Sequence, residues 1–442
     1  MTLWTTAEIN AALSLRCSEP LTITGVSLDT RSLSAGDLFV CLRGETHDGH
    51  HYIDAALAAG AGAVLSAEAH PDSRVLRVSD TFGAMQALAR YRRNQLDDAF
   101  IMGITGSVGK TTTKELLRVM LSPQGATTAT TGNYNNHLGV PVTLMRSPKQ
   151  ASFVIVEMGM NHAGELRDLT RLVRPHLALV TTVAPSHIGN FSSLRDIALA
   201  KAEIFEGLVG GGTALYGDDH AYTDVLLDAA QNSRAQRIAA IPTAGLAGQK
   251  TWEWQGQSFD LTEYNDDPAL KACIVCALSV VAEAGADVKT AYAALSTFQR
   301  PSGRGNIVEI SGVRIIHDAY NASPASMRAA LQRLAALPCS GRRIALLGDM
   351  LEMGKHSAGY HTALLDDVVG KPITTVHTVG PAMAALHAKL PKHQQGLCVP
   401  DVAALGDVFT KTLKPKDLIL IKGSAGVKLG QVVANLQKVL ML

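Results

Sequence analysis

The stretch FIMGITGSVGKTTTKELLRVML, residues 100–121, constrains this chain more than any other. FIMGIT reads as a buried strand ending at Thr105, TTTKELLRVML as the helix after it, and glycines at 103, 106 and 109 fall at and around the turn. In that order, backbone N–H groups free of side chains can surround phosphate oxygens, and the helix N-terminus adds its partial positive charge. Lys110 would reach the β- and γ-phosphates, and the Thr111 hydroxyl could ligate Mg2+. Strict GxxxxGK[ST] spacing would need glycine at 104, where Ile104 stands. The loop is therefore a variant, expected to hold ATP through Gly106, Ser107, Val108, Gly109, Lys110, Thr111 and Thr112. A flexible glycine turn without a ligand is the bland alternative.

The same period continues from Phe100 onward. SFVIVEMG, LALVTTV and TALYG are further strand candidates among amphipathic helices, the pattern of a mainly parallel sheet covered on both faces. Before it, LTITGVSLDTRSLSAGDLFVCL is extended and turn-rich; YIDAALAAGAGAVL is expected to be a helix, RVLRV a strand, and a basic helix ends near Arg93. A third block near Arg304 carries VRIIHDAY, RRIALLGD, TTVHTVG and LILIKG. The expected division is 1–98, 99–303 and 304–442, which suits a chain of 442 residues with 47% hydrophobic composition.

Forty basic against 39 acidic side chains give no positive field for nucleic acid, so the expected substrate is small. No apolar run approaches the roughly 18 to 20 residues of a membrane span. The start, MTLWTTAEINAAL, lacks a charged region followed by an apolar signal core, and the expected location is the cytoplasm. Six scattered cysteines make no disulfide framework, and the Cys273–Cys276 pair sits in the apolar helical pattern ALKACIVCALSVVAEAG, where core packing is the favoured reading.

SFVIVEMGMNHAGEL puts Glu157 at the carboxyl end of a strand, where ligands approach an open α/β sheet. LALVTTVAPSHIGNF brings His187 to the same edge. Alone, each reads as an ordinary strand-end charge or loop residue; together, beside the phosphate loop, they read as metal or phosphate ligands. SSLRDIALAKAEIF follows as a helix capped by Ser192 or Ser193, carrying Lys201.

GITGSVGKTTTKE, GNYNNHLGVPVTLM, VEMGMNHAGEL, DAYNASPASM and LLGDMLEMG together resemble the ATP-dependent Mur ligases of peptidoglycan synthesis, over nearly the whole chain. The resemblance implies a small mixed α/β N-terminal domain gripping a UDP-sugar, a central P-loop ATPase-type parallel sheet, and a C-terminal Rossmann-like domain closing over the nucleotide. It also implies the reaction: ATP phosphorylates the terminal carboxylate of UDP-MurNAc-tripeptide, and the amine of D-Ala-D-Ala attacks the acyl phosphate. A monomer is implied as well.

By the same resemblance Glu157 and His187 match metal ligands, with Thr111, and Lys201 matches a lysine carried as a CO2-derived carbamate. Asn135 and Asn136 match positions near the phosphate and acyl substrate, with Asn136 grouped with Lys110, His187 and Lys201 as catalytic. An asparagine-rich turn is the alternative. Ser27, Thr30, Arg31, Gly44, Thr46, Asp48 and Gly49 match the UDP-sugar segment, the alternative being tight turns with an Asp29–Arg31 ion pair. Arg304, Asp318 and Asn321 match nucleotide contacts, Tyr320 lies in the same pattern, and LLGDMLEMG is expected to be architecture.

Some positions depart from the family pattern. His317 takes an acidic place and Ser323 an asparagine's; Ala269 and Cys273 replace polar residues expected near adenine; Ala425 replaces an arginine after KGS, leaving Lys422 and Ser424. A related amino-acid ligase, or a nucleotide-responsive binding protein without chemistry, are the competing readings. The NYNN and DAYNASP segments argue against the first, and Lys110, Thr111, Glu157, His187 and Lys201 against the second.

Overall fold

The strand Phe100–Thr105 lies inside a six-stranded, all-parallel sheet in the computed structural model, which describes residues 2–218, 221–246, 248–254 and 256–440. The order runs Ala235–Ile241, Gly212–Gly217, Leu177–Val180, Phe100–Thr105, Phe153–Glu157, Thr127–Ala129. Parallel strands covered on both faces are near-continuous apolar runs, as FIMGIT and LALV are. The chain leaves Phe100–Thr105 for strands on one side and returns to Leu177–Val180 on the other, so the carboxyl ends of Thr105, Glu157 and Val180 flank a switch point where ligands bind. The helix Lys110–Leu121 buries Leu116, Leu117, Met120 and Leu121 in one cluster with Ile274, Val275 and Leu278 of the helix Pro268–Glu283. Cys276 is part of that core.

In the N-terminal part, Gly25–Ser27, Asp37–Val40, Ala63–Ser66 and Val75–Arg77 form a parallel four-stranded sheet. Here the expected helix YIDAALAAGAGAVL is corrected: the helix covers only Ile53–Ala58, and Ala63–Ser66 is a strand. Alanine propensity favours continuing the helix, but it is a weak bias that burial overrides. Gly60 turns the chain at φ 89°, and Ala63, Val64 and Leu65 are fully buried between Asp37–Val40 and Val75–Arg77. Gly62 has no room for a side chain, since a Cβ would lie 2.8 Å from the Gly36 carbonyl oxygen. The basic helix is Thr81–Arg93, and its Arg93 donates to the carbonyls of Val173 and Arg174 at 2.6 Å each, tying this part to the central sheet.

The C-terminal part is a second six-stranded sheet, ordered Asn306–Ile310, Val313–Asp318, Leu418–Lys422, Arg343–Gly348, Thr375–Val379, Gln395–Val399. Its first two strands pair antiparallel and the rest are parallel. The four apolar strands expected from sequence are present; the two edge strands, half-exposed and lacking long apolar runs, escaped the reading. Among the described residues no helix is long and apolar enough to cross a membrane.

Candidate active site

Gly106 and Gly109 adopt φ 148° and 92°, and a Cβ on Gly106 would fall 1.9 Å from Thr181 Oγ1. The turn is thus seated directly on the end of the neighbouring strand. Thr181 donates to the Val108 carbonyl at 2.6 Å, the Ser107 N–H to the Thr182 carbonyl at 2.9 Å, and the Ser107 hydroxyl to the Ala184 carbonyl at 2.7 Å. Lys110 Nζ donates to the Gly106 carbonyl at 2.6 Å, folded back over its own loop. Burial holds its pKa below the ordinary lysine value against the opposing pull of Glu157, and the Arg304 charge lowers it further.

Glu157 ends its strand buried, 1% exposed. Its Oε1 accepts from Thr111 Oγ1 at 3.0 Å and Asn135 Nδ2 at 2.8 Å, and its backbone N–H donates to Thr130 Oγ1 at 3.0 Å. Lys114, fully buried, donates to the carbonyls of Thr130 at 2.7 Å and Gly132 at 3.2 Å, fixing the segment that delivers Asn133 and Asn135. The helix Leu194–Ala202, capped by the Ser193 hydroxyl on the Asp196 N–H, presents Lys201 at 2% exposure. Burial pushes the Lys201 pKa well below the ordinary value, helped by the Lys110 charge. His187 sits in the left-handed region at φ 55°, its Nδ1 against the carboxylate of Glu352. Burial lowers its pKa; Glu352 opposes the shift, and Lys110 and Lys201 reinforce it.

The C-terminal part closes the other wall. The Arg304 guanidinium lies 3.9 Å over the Tyr320 ring, within cation–π range. Lys422 Nζ donates to Asp318 at 2.7 Å and to the Asn321 carbonyl at 3.0 Å. Asp267, the N-cap of the helix Pro268–Glu283, joins Arg300 at 2.5 Å to Arg333 of the C-terminal helix Pro324–Ala336 at 2.8 Å.

These groups surround one cleft of about 520 Å³. Ser107, Val108, Gly109, Lys110, Thr111, Thr112, Asn135, Glu157, His187, Lys201, Arg304, Asp318 and Asn321 all line it. Gly106 contributes its carbonyl beneath the loop. Asn136 does not line the cleft: its Oδ1 accepts from the N–H groups of Leu138 at 3.2 Å and Gly139 at 3.0 Å, at the start of the helix Gly139–Met145. Ser27, Thr30, Arg31, Gly44, Thr46, Asp48 and Gly49 belong to the N-terminal sheet and also lie outside this lining. There Ser27 bonds the Asp29 carbonyl, Arg31 pairs with Asp29 at 2.6 Å, Asp48 binds His50 and Arg43, and a Cβ on Gly49 would meet the Leu42 nitrogen at 2.8 Å. Ala269, Cys273 and Ala425 line the cleft, Cys273 with its Sγ 3.8 Å from the Gly109 carbonyl oxygen.

Sequence reasoning missed Asn133, Asp267, Arg300, Arg333 and Glu352, all of which line the cleft. LLGDMLEMG, expected as architecture, also brings Glu352 to the central wall of the cleft. Only the acidic residue after a strand-end glycine hinted at it.

The donor set suits a hard divalent cation, which takes oxygen ligands and neutral imidazole. Among the described residues, Glu157 Oε2 is buried without a hydrogen-bond partner, a cost that a bound cation would remove. The Thr111 hydroxyl, His187 and Lys201 share the cleft with it.

Profiles of known families match three successive stretches: the Mur ligase family catalytic domain at 22–92, the Mur ligase middle domain at 104–273, and the Mur ligase glutamate ligase domain at 303–425. The UDP-N-acetylmuramoyl-tripeptide–D-alanyl-D-alanine ligase of Rickettsia prowazekii is 31% identical over 98% of this chain and 99% of its own. The enzyme of that name from Bacillus subtilis is 33% identical over 95% and 94%. Among solved structures, MurF from Acinetobacter baumannii superposes with a TM-score of 0.83 at 26% identity, covering 98% of this chain and 99% of that one. MurF from Thermotoga maritima in complex with ADP shares the fold, with a TM-score of 0.74 at 24% identity over 94% and 98%.

Proposed function

The chain belongs to the Mur ligase family, and we propose that it joins D-alanyl-D-alanine to UDP-N-acetylmuramoyl-tripeptide at the expense of ATP, supplying a peptidoglycan precursor. The observation that carries this reading is the convergence, in one cleft, of a phosphate-binding loop with a buried lysine and, among the described residues, a buried carboxylate oxygen that lacks a hydrogen-bond partner.

A carboxylate is a poor electrophile because oxide would have to leave. Transfer of the γ-phosphoryl group of ATP to that oxygen gives an acyl phosphate and ADP. The amine of D-alanyl-D-alanine then attacks the acyl carbon, the C–O bond breaks, and inorganic phosphate departs as the amine gives up a proton. The loop N–H groups of Val108 to Thr112 grip the phosphates, and Lys110 swings from the Gly106 carbonyl to neutralise charge that develops on transfer. Arg304, Asp318 and Asn321 approach the nucleotide from the C-terminal side, which fixes it relative to the acyl group. Asn135 borders the acyl site, Asn136 caps the start of the helix Gly139–Met145 beside it, and the N-terminal loops with Ser27, Thr30, Arg31, Gly44, Thr46, Asp48 and Gly49 hold the UDP-sugar.

Mg2+ would be held by Thr111, Glu157, His187 and Lys201, and when bound it screens phosphate charge during transfer. An ammonium would repel it. Neutral Lys201 can instead add to CO2, forming an N–C bond and releasing a proton, so that the residue presents oxygen; its burial, which lowers its pKa and favours the free amine, supports that modification. The chain acts as a cytoplasmic monomer, the central and C-terminal walls of the cleft coming from one polypeptide.

The test is ADP release in a coupled assay with ATP, Mg2+ and UDP-N-acetylmuramoyl-tripeptide, with and without D-alanyl-D-alanine. Turnover that requires the dipeptide is expected; turnover indifferent to it refutes the assignment.

A further inference from the structure

Glu352 stands on a loop built with little freedom. Asp349 accepts from the N–H groups of Met383 at 2.7 Å and Ala382 at 3.2 Å, the Met350 N–H donates to His361 Nε2 at 2.9 Å, and the Leu351 N–H donates to Ser424 Oγ at 2.9 Å. The loop meets the central domain through two glycines. The Gly189 N–H donates to the Glu352 carbonyl at 2.9 Å; a Cβ on Gly189 would lie 3.0 Å from the Gly354 nitrogen, and one on Gly354 2.8 Å from the Gly189 Cα. Contact that close admits no side chain on either partner, so the two backbones fit in one register. Two residues before Gly189, His187 is held in the left-handed region, with its carbonyl accepting from the Asn190 N–H at 2.9 Å. In that register the Glu352 carboxylate meets His187 Nδ1.

The Glu352 carboxylate is in ion-pair contact with Nδ1, which is buried and otherwise without a hydrogen-bond partner among the described residues; a neutral imidazole that keeps its proton on that side has its lone pair on Nε2, the arrangement by which carboxylates orient metal-binding histidines. Resting on the reading of His187 as a cation ligand, we propose that Glu352 is a positioning residue: the C-terminal domain, once seated, selects the tautomer and orientation in which His187 binds the cation. Cation affinity is thereby tied to closure of the cleft, and Glu352 acts through His187 rather than as a ligand of its own.

Binding of Mn2+ to the full chain, counted from the EPR signal of the free ion, tests this in the unmodified chain, His187→Ala, Glu352→Gln and the double variant. Glu352→Gln is expected to weaken Mn2+ binding about tenfold or more, as loss of such an outer partner does. The double variant is expected to bind no more weakly than His187→Ala alone, and the metal-free melting temperature of Glu352→Gln to stay at that of the unmodified chain. Unchanged Mn2+ affinity in Glu352→Gln, or losses that multiply in the double variant, overturn the proposal while leaving His187 as a ligand. Unchanged binding in His187→Ala, or none in the unmodified chain, instead overturns the cation-site reading on which it rests.

Discussion

Replacing Gly106 by alanine puts one methyl group where the phosphate loop meets the adjacent strand. The new Cβ would fall 1.9 Å from Thr181 Oγ1 and 3.1 Å from the Thr181 nitrogen, so rotating one side chain cannot clear it. Thr181 is buried and already committed, its hydroxyl within bonding distance of the carbonyls of Val108 at 2.6 Å and Thr105 at 3.2 Å. Overpacking of this kind costs about 1–3 kcal/mol, and holding alanine at positive φ adds about 1–2 kcal/mol. The expected loss is therefore about 2–5 kcal/mol on urea denaturation. Gly164→Ala serves as the comparison: φ is 91° but nothing lies within 4 Å, so only the backbone share of about 1–2 kcal/mol is expected. Adding Thr181→Ala to Gly106→Ala should recover much of the packing share, and calorimetric ADP affinity should fall in Gly106→Ala because the loop N–H groups are displaced. If Gly106→Ala costs no more than Gly164→Ala, the seating of the loop on Thr181 is not what the geometry implies.

Asp267→Ala leaves the buried Arg333 and the half-buried Arg300 without their carboxylate and removes a helix cap; a loss of about 3–5 kcal/mol is expected on chemical denaturation. A loss below about 1 kcal/mol would mean the two arginines find other partners. His377 is buried, its Nδ1 accepting from the Leu397 N–H at 3.0 Å, and burial, aided by Arg342 and His387, lowers its pKa to about 4. The unfolded chain, titrating near 6.5, then binds more protons, so this contribution is complete above that pH and is lost as pH falls toward about 4, on the order of 3 kcal/mol in total. His377→Phe should flatten that part of a urea-midpoint-against-pH curve; an unchanged slope counts against it. Lys201→Ala should abolish turnover and regain part of it with added short-chain carboxylates. Full activity without them would exclude an essential carbamate.

The strand Phe100–Thr105, the turn and the helix Lys110–Leu121 were legible because apolar run, glycines and helix formers follow one another locally. Glu157, His187 and Lys201 were legible by position and resemblance, since strand ends and a capped helix place them. The strand Ala63–Ser66 was not, because its alanine-rich approach favours a helix until neighbouring strands bury it. Asn136 stood out by pattern, yet asparagine caps a helix as readily as it meets a substrate, and here its Oδ1 faces two backbone N–H groups.

What the sequence alone determined was the local chemistry: a phosphate loop, parallel strands and the residues at their carboxyl ends, because backbone geometry and hydrophobic period act over a few residues. Tertiary structure decided which distant groups meet. Thr111 and Asn135 share one oxygen of Glu157; Asp267 bridges Arg300 to Arg333, 66 positions from it; and Glu352 comes to rest on His187. Such contacts depend on how whole domains seat on each other, and the closeness of two glycine backbones, which sets the last of them, has no signature along the chain.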